Sequence, residues 1–143
     1  MRLTMVLLAA VLFASPADAA PLDAYAWKNR LMIIFAPALQ DWRLIDQREL
    51  NVHAIEGLKD RDMVIFAVAG ENRINAELGP APETGGAALR QLFGVADDDF
   101  AVILVGKDGT EKYRAAEPVD LAVIFDIVDG MPMRRREMRD QRT

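Results

Sequence analysis

The chain contains no cysteine, and its only serine is Ser15. Thiol-disulfide chemistry needs a thiolate, so it is excluded, and no disulfide can brace the fold. Beyond residue 19 there is no serine, one histidine (His53) and three threonines, Thr84, Thr110 and Thr143. A Ser-His-Asp or Cys-His nucleophilic site cannot be built from that set. Zinc and copper sites draw on several Cys or His ligands, which a single histidine does not supply. Carboxylates, Lys, Arg and Tyr remain for chemistry, and no cofactor or metal is implied. A basic excess is missing too. The net charge of −5 makes nucleic acid a poor partner.

One long apolar run is present, at the start. Arg2 precedes LTMVLLAAVLFA (3–14), a stretch of secretory-leader length and short for a bilayer span. Pro16 breaks it, and Ala17-Asp18-Ala19 supplies small residues at the −3 and −1 positions of a cleavage site. Cleavage is expected between Ala19 and Ala20; the competing reading is a retained anchor helix. The style of the leader points to a Gram-negative periplasm or a secreted destination. LAVIFDIV (121–128) contains Asp126 and has the length of a buried helix, so no transmembrane segment is expected after the leader.

RLMIIFA (30–36) and DMVIFAVAG (62–70) have the Ile, Val and Phe content of buried strands. Between them, residues 40–58 predict a helix whose apolar stripe is Leu44, Ile45, Val52, Ile55 and Leu58. Two apolar strands joined by a helix imply a right-handed parallel βαβ unit. Residues 71–86 are expected as a long connection, with an exposed Gly/Pro-rich loop at 79–86. AALRQLFG (87–94) predicts a short helix ended by Gly94, and FAVILVG (100–106) a third buried strand. Asp108-Gly109 signals a hairpin into EKYRA (111–115). A last helix spans 119–129, with Gly130 and Pro132 closing it. The order β-α-β-α-β-β-α, in one α/β domain, is the minimal thioredoxin-like arrangement. The expected organisation is a leader at 1–19, the thioredoxin-like domain at 20–130 and a Met/Arg-rich tail at 131–143.

Four phrases carry a resemblance: WKNRLMIIFAP (27–37), DRDMVIF (60–66), LVGKDGTEKYR (104–114) and DGMPMRRREM (129–138). They resemble a domain-of-unknown-function family of exported bacterial proteins. Its relatives recur in vertebrate extracellular matrix and sushi-repeat proteins, where the domain is described as peroxiredoxin-like. The resemblance spans nearly all of the chain after the leader, and DGMPMR is its more specific part. It implies a thioredoxin-like fold and no established activity. The redox cysteines of a thioredoxin would fall near Leu39 and Trp42 here, and its cis-proline near Ala101. None of these residues can do that chemistry.

The candidate binding residues are Gln47, Arg48, Met131, Met133, Arg134, Arg135 and Arg136. Arg48 falls inside the predicted apolar stripe. Two readings stand: it binds an anionic ligand with Gln47 beside it, or its stem packs while its head finds solvent or a nearby acid. His53 lies off the stripe, as a surface residue would. Asp97-Asp98-Asp99 lacks the alternating spacing of a calcium loop and reads as an exposed turn. Trp27 is expected as a lid over the core and Lys107 as a solvated turn lysine.

The tail holds five arginines, at 134, 135, 136, 139 and 142, opposed by Glu137 and Asp140. It could dock on an envelope protein or an anionic surface, with Met131 and Met133 as an adaptable contact. A net charge of about +3 contributes about 3 kcal/mol at an anionic membrane, too little to anchor the protein alone. The competing reading is that the methionines cover the end of the core and the arginines pair with the protein's own acids. The expected function is an exported, cysteine-free, non-catalytic binding or interaction module of unknown ligand. The alternatives are an envelope enzyme using carboxylate, Lys or Tyr chemistry, and a structural or stress-associated envelope protein.

Overall fold

The apolar runs become strands buried on both faces. A computed structural model describes residues 21–143; the leader expected at 1–19 and the cleavage site between Ala19 and Ala20 lie outside the described residues. A 3-10 turn at Asp23–Tyr25 leads to β1 (Arg30–Ala36), α1 (Trp42–His53), α2 (Ile55–Asp60), β2 (Met63–Ala69) and β3 (Arg73–Leu78). Then follow α3 (Gly86–Phe93), β4 (Ala101–Val105), β5 (Glu111–Ala115), α4 (Leu121–Asp129) and α5 (Pro132–Asp140). The sheet has the order β3-β2-β1-β4-β5. β1 and β2 are parallel, from Arg30 opposite Met63 to Ala36 opposite Ala69, and the other pairings are antiparallel.

Alternation along each strand divides the core in two. Met32, Ile34, Ile65, Val102 and Leu104 face one side, where Leu44, Leu58, Leu121, Ile124 and Val128 of α1, α2 and α4 cover them. Leu31, Ile33, Phe35, Phe66 and Ile103 face the other, under Leu89 of α3 and Tyr25. The Tyr25 ring stacks on Phe66 and its hydroxyl donates to the Pro80 carbonyl at 2.7 Å, tying the start of the domain to the 79–86 loop. Burial pushes the Tyr25 hydroxyl pKa up.

The structure departs from the sequence reading in three places. Residues 73–78, expected within a connection, form β3. As an edge strand it is half-covered and its apolar alternation is weak. The helix expected over 40–58 breaks at Ala54, and its buried face is Leu44, Gln47 and Asn51. Ile45 and Val52, placed on the apolar stripe, are exposed. Residues 131–143, expected as a tail, contain α5, with Pro132 at its first turn. Pro132 therefore closes α4 and opens another helix, the position where its fixed φ suits a helix start.

Gly86 seats α3 against the turn that joins β2 to β3. A Cβ there would lie 2.2 Å from the Asn72 carbonyl oxygen and 2.7 Å from Val68 Cγ1. Gly86→Ala is expected to lower the unfolding free energy by about 1–3 kcal/mol, measured by urea denaturation. An unchanged midpoint would contradict the packing of α3 on this turn.

Candidate functional site

The four phrases that carried the resemblance lie far apart in sequence and meet at one end of the sheet, where β1 and β2 begin. Arg30 is only 1% exposed. It donates through both terminal nitrogens to Glu137 of α5, at 3.1 and 3.2 Å, and to the Arg61 carbonyl at 3.0 Å. Lys107, 8% exposed, donates to the same Glu137 and to Asp62. Beside them Arg134, 3% exposed, holds Asp129 and Asp60 at 3.1 and 2.7 Å. Arg61 forks onto Asp129 at 3.0 and 2.8 Å, and its guanidinium lies 3.9 Å above the Phe125 ring. Four cations and four carboxylates thus close one network, with the cations more deeply buried than the acids.

Opposite charge governs titration here. Burial pushes the Glu137 and Asp129 carboxyls up, but hydrogen bonds and charge from Arg30 and Lys107, and from Arg61 and Arg134, outweigh it. Both titrate below their ordinary values. Asp108, hydrogen-bonded by Lys112 and by Thr110, is held at about 2.

Over this network opens a groove of about 230 Å³, lined by Trp27, Lys107, Asp108, Lys112, Met131, Pro132 and Met133 and reaching Arg30, with the Asp108 carboxylate neutralised by Lys112 at 2.8 Å. Arg30 Nε–H, buried, has no acceptor among the described residues. Trp27 is 66% exposed at the rim and adopts φ 64. A bulky residue at positive φ is a conformational outlier. Its N–H, donating to the Lys107 carbonyl at 2.7 Å, fixes it there. Trp27 is thus no lid over the core, and Lys107 is no solvated turn lysine, because acids from β2's approach and α5 converge on it.

The candidate binding residues separate. Met131 and Met133 line the groove. Arg134 is held inside by Asp60 and Asp129, while Arg135 and Arg136 are exposed on α5. Gln47 is fully buried and far from surface recognition. It accepts from Val119 N–H at 2.7 Å and donates to Val119 C=O and Asn51 at 3.1 Å, latching the approach to α4. Arg48 pairs with Glu77 on β3, an acid on a strand the sequence reading did not foresee. His53 is exposed, its Nδ1 against the Glu49 carbonyl. Asp97, Asp98 and Asp99 are exposed before β4.

The thioredoxin cysteine positions lie at the other end of β1. Leu39 and Trp42 are exposed there, on either side of the α1 cap Asp41, which accepts from Arg43 N–H at 3.0 Å. Behind them Arg90 crosses the strand ends. It donates to the carbonyls of Ala36 and Ala96 at 2.7 and 2.6 Å and to Asn72 at 2.8 Å. Trp27, Arg30, Asp62, Lys107 and Glu137 were missed as a group. Their signal was recurrence of charged residues beside each buried strand, which composition alone cannot pair.

Glu137→Gln leaves two buried cations without their shared carboxylate. The expected loss is about 3 kcal/mol at neutral pH, by chemical denaturation. The depressed Glu137 carboxyl also gives the sign of an acid response. Its contribution is complete above the ordinary value near 4.5 and is lost as pH falls through its lower folded value. Wild-type stability should drop across that acid range, and more steeply than that of Glu137→Gln.

The chain has relatives. It is 27% identical over 138 residues to "Coiled-coil domain-containing protein 80" of Danio rerio, covering 85% of this chain and 16% of that protein. It is 29% identical over 125 residues to "Sushi repeat-containing protein SRPX" of Homo sapiens, covering 84% of this chain and 26% of that protein. The chain therefore spans a minor part of these curated relatives. Among solved structures, a thioredoxin peroxidase I of Plasmodium yoelii superposes with a TM-score of 0.56 at 13% identity, over 80% of this chain and 79% of that one. That likeness shows the fold, which is thioredoxin-like. The model of the family described as "Domain of unknown function (DUF4174)" matches residues 21–137, a span that takes in the sheet and runs into α5 through Glu137, and the chain belongs to this family.

Proposed function

We propose that this protein is an exported binding module without thiol redox activity, and that its partner docks in the groove between Trp27, the β4–β5 turn and the start of α5. The carrying observation is Trp27. A large aromatic side chain stays two-thirds exposed on a backbone held at φ 64, at the rim of an apolar groove whose floor is a closed ion network. Strained residues and exposed aromatics concentrate where proteins bind something. Export is supported by the leader pattern of residues 2–19. No helix among the described residues is long and apolar enough to cross a membrane.

The titration pattern argues against a carboxylic general acid at four positions. Asp41, Asp108, Asp129 and Glu137 are displaced downward. A carboxylic general acid needs a displacement upward, toward neutrality. The absence of any thiol leaves the thioredoxin-like scaffold with its shape and without its redox chemistry.

Trp27→Gly separates the two roles of a tryptophan at this place. Glycine adopts positive φ freely, so the variant removes strain of about 1 kcal/mol along with the exposed ring. The thermal midpoint is expected to hold or rise. In-cell crosslinking from a tag at the mature N-terminus is expected to lose its dominant adduct. A variant that unfolds several degrees earlier would make Trp27 a core residue. Unchanged adducts would remove the groove from the binding surface.

A further inference from the structure

The groove continues onto a face of α5 whose arginines have no carboxylate partner among the described residues. Among the described residues, Arg30, Arg43, Arg48, Arg61, Arg73, Arg90, Arg114 and Arg134 each have a carboxylate within 4.0 Å. Arg135, Arg136, Arg139 and Arg142 do not, and all four are exposed on α5 or just past its end. Of the lysines, Lys28 alone lacks an acid partner, and it adjoins Trp27 in the chain. In a chain of 22 acids and 17 lysines and arginines, acids are in surplus, yet the unpaired cations gather on the element that begins the groove.

Helix geometry makes the surface continuous. At 100° per residue, Arg136 lies roughly 60° from Met133, Arg139 a further step of roughly 60° on with Arg135 beside it. Asp140 is the one acid at the edge of this arc, roughly 20° from Met133, and Arg142 follows just past the helix end. An arc of arginine therefore runs from the groove wall along the outer side of α5. The groove is concave and has room for one or two apolar side chains. The concave groove accepts an inserted side chain, whereas a bilayer would engage only the protruding Trp27 at its rim.

We infer that the occupant is an acidic peptide segment of a partner protein, with a bulky apolar residue seated between Trp27 and Met131/Met133 and flanking carboxylates on Arg135, Arg136, Arg139 and Arg142. The inference rests on the groove reading and adds the charge of the partner. Forked guanidinium–carboxylate contacts suit this recognition, and the attraction between unlike fields speeds association and weakens with salt.

The test is selection from a random dodecapeptide display library on the folded protein. Selected peptides are then titrated against wild type, Trp27→Gly, a fourfold Arg→Gln variant at 135, 136, 139 and 142, and the matching fourfold Arg→Lys variant. The expected winners are acidic with a bulky apolar residue. Their Kd rises at least tenfold in Trp27→Gly and in the glutamine variant, recovers in part with lysine, and rises with salt in the wild type more than in the glutamine variant. Neutral winners that need Trp27 and ignore the arginines overturn the acidic partner and leave the groove reading standing. Winners indifferent to Trp27, or none above a blank surface, overturn both. Arginine-dependent cosedimentation with phosphatidylglycerol/phosphatidylcholine vesicles at physiological salt, without acidic winners, replaces the peptide with a membrane.

Discussion

Glu137 is the carboxylate on which this end of the molecule depends. It accepts from Arg30, at the start of the central strand, and from Lys107, in the β4–β5 turn. These partners stand 107 and 30 residues away in sequence. Both cations are nearly sealed from water, so neither is stable there without an anion. The anion arrives on α5, and its pairing fixes that helix against the sheet. Arg134 repeats the device one turn earlier, binding Asp60 at the end of α2 and Asp129 at the end of α4. The network is neutral as a whole, which lets so many charges share a partly buried site. It also makes the start of α5 a rigid wall, and the groove beside Trp27 exists because that wall is fixed.

The two ends of the sheet have different fates. At the end where a thioredoxin carries its cysteines, Arg90 stitches together the end of β1, the β2–β3 turn and the loop before β4 through Asn72 and two carbonyls. Those donors are used by the protein itself. Burial lowers the Arg90 pKa, offset by Asp97 and Asp99. At the opposite end an apolar groove stays open, with an exposed tryptophan beside it and exposed arginines on α5 that have no carboxylate partner among the described residues. The open groove therefore lies at the end of the sheet opposite Leu39 and Trp42. Fold and function part company here in the ordinary way, since activity belongs to a site and not to an architecture.

Legibility followed burial. β1, β2 and β4 are covered on both faces, so their sequences are continuous apolar runs bounded by polar residues, and periodicity found them. β5 was found through Asp108-Gly109. β3 escaped because an edge strand keeps polar residues on its open side, and RINAEL resembles a connection. The α1 stripe was misplaced because Gln47 and Asn51 fill buried positions. Their amides meet Val119 and the Met32 sulfur, and a hydrophobicity pattern cannot know that a polar side chain has a partner waiting. The helix in the Arg-rich segment was hidden for the same reason. Its inner face is Arg134 and Glu137, charged residues whose burial is made possible by acids and bases from elsewhere. Pro132 at a helix start was the one local clue.

The sequence by itself determined that thiol chemistry is absent and that imidazole is scarce, because a chain with no cysteine and one histidine cannot assemble a site that needs a thiol or several imidazoles. It also determined the central strands and the α/β class, since local apolar patterning follows directly from two-sided burial. Only the tertiary structure decided which charges pair. Ion pairing depends on distances of a few ångströms between residues up to 107 positions apart, and no local pattern carries that information. The same long-range geometry turned an expected tail into a docked helix, divided its arginines into one buried and four exposed, and opened the groove beside Trp27.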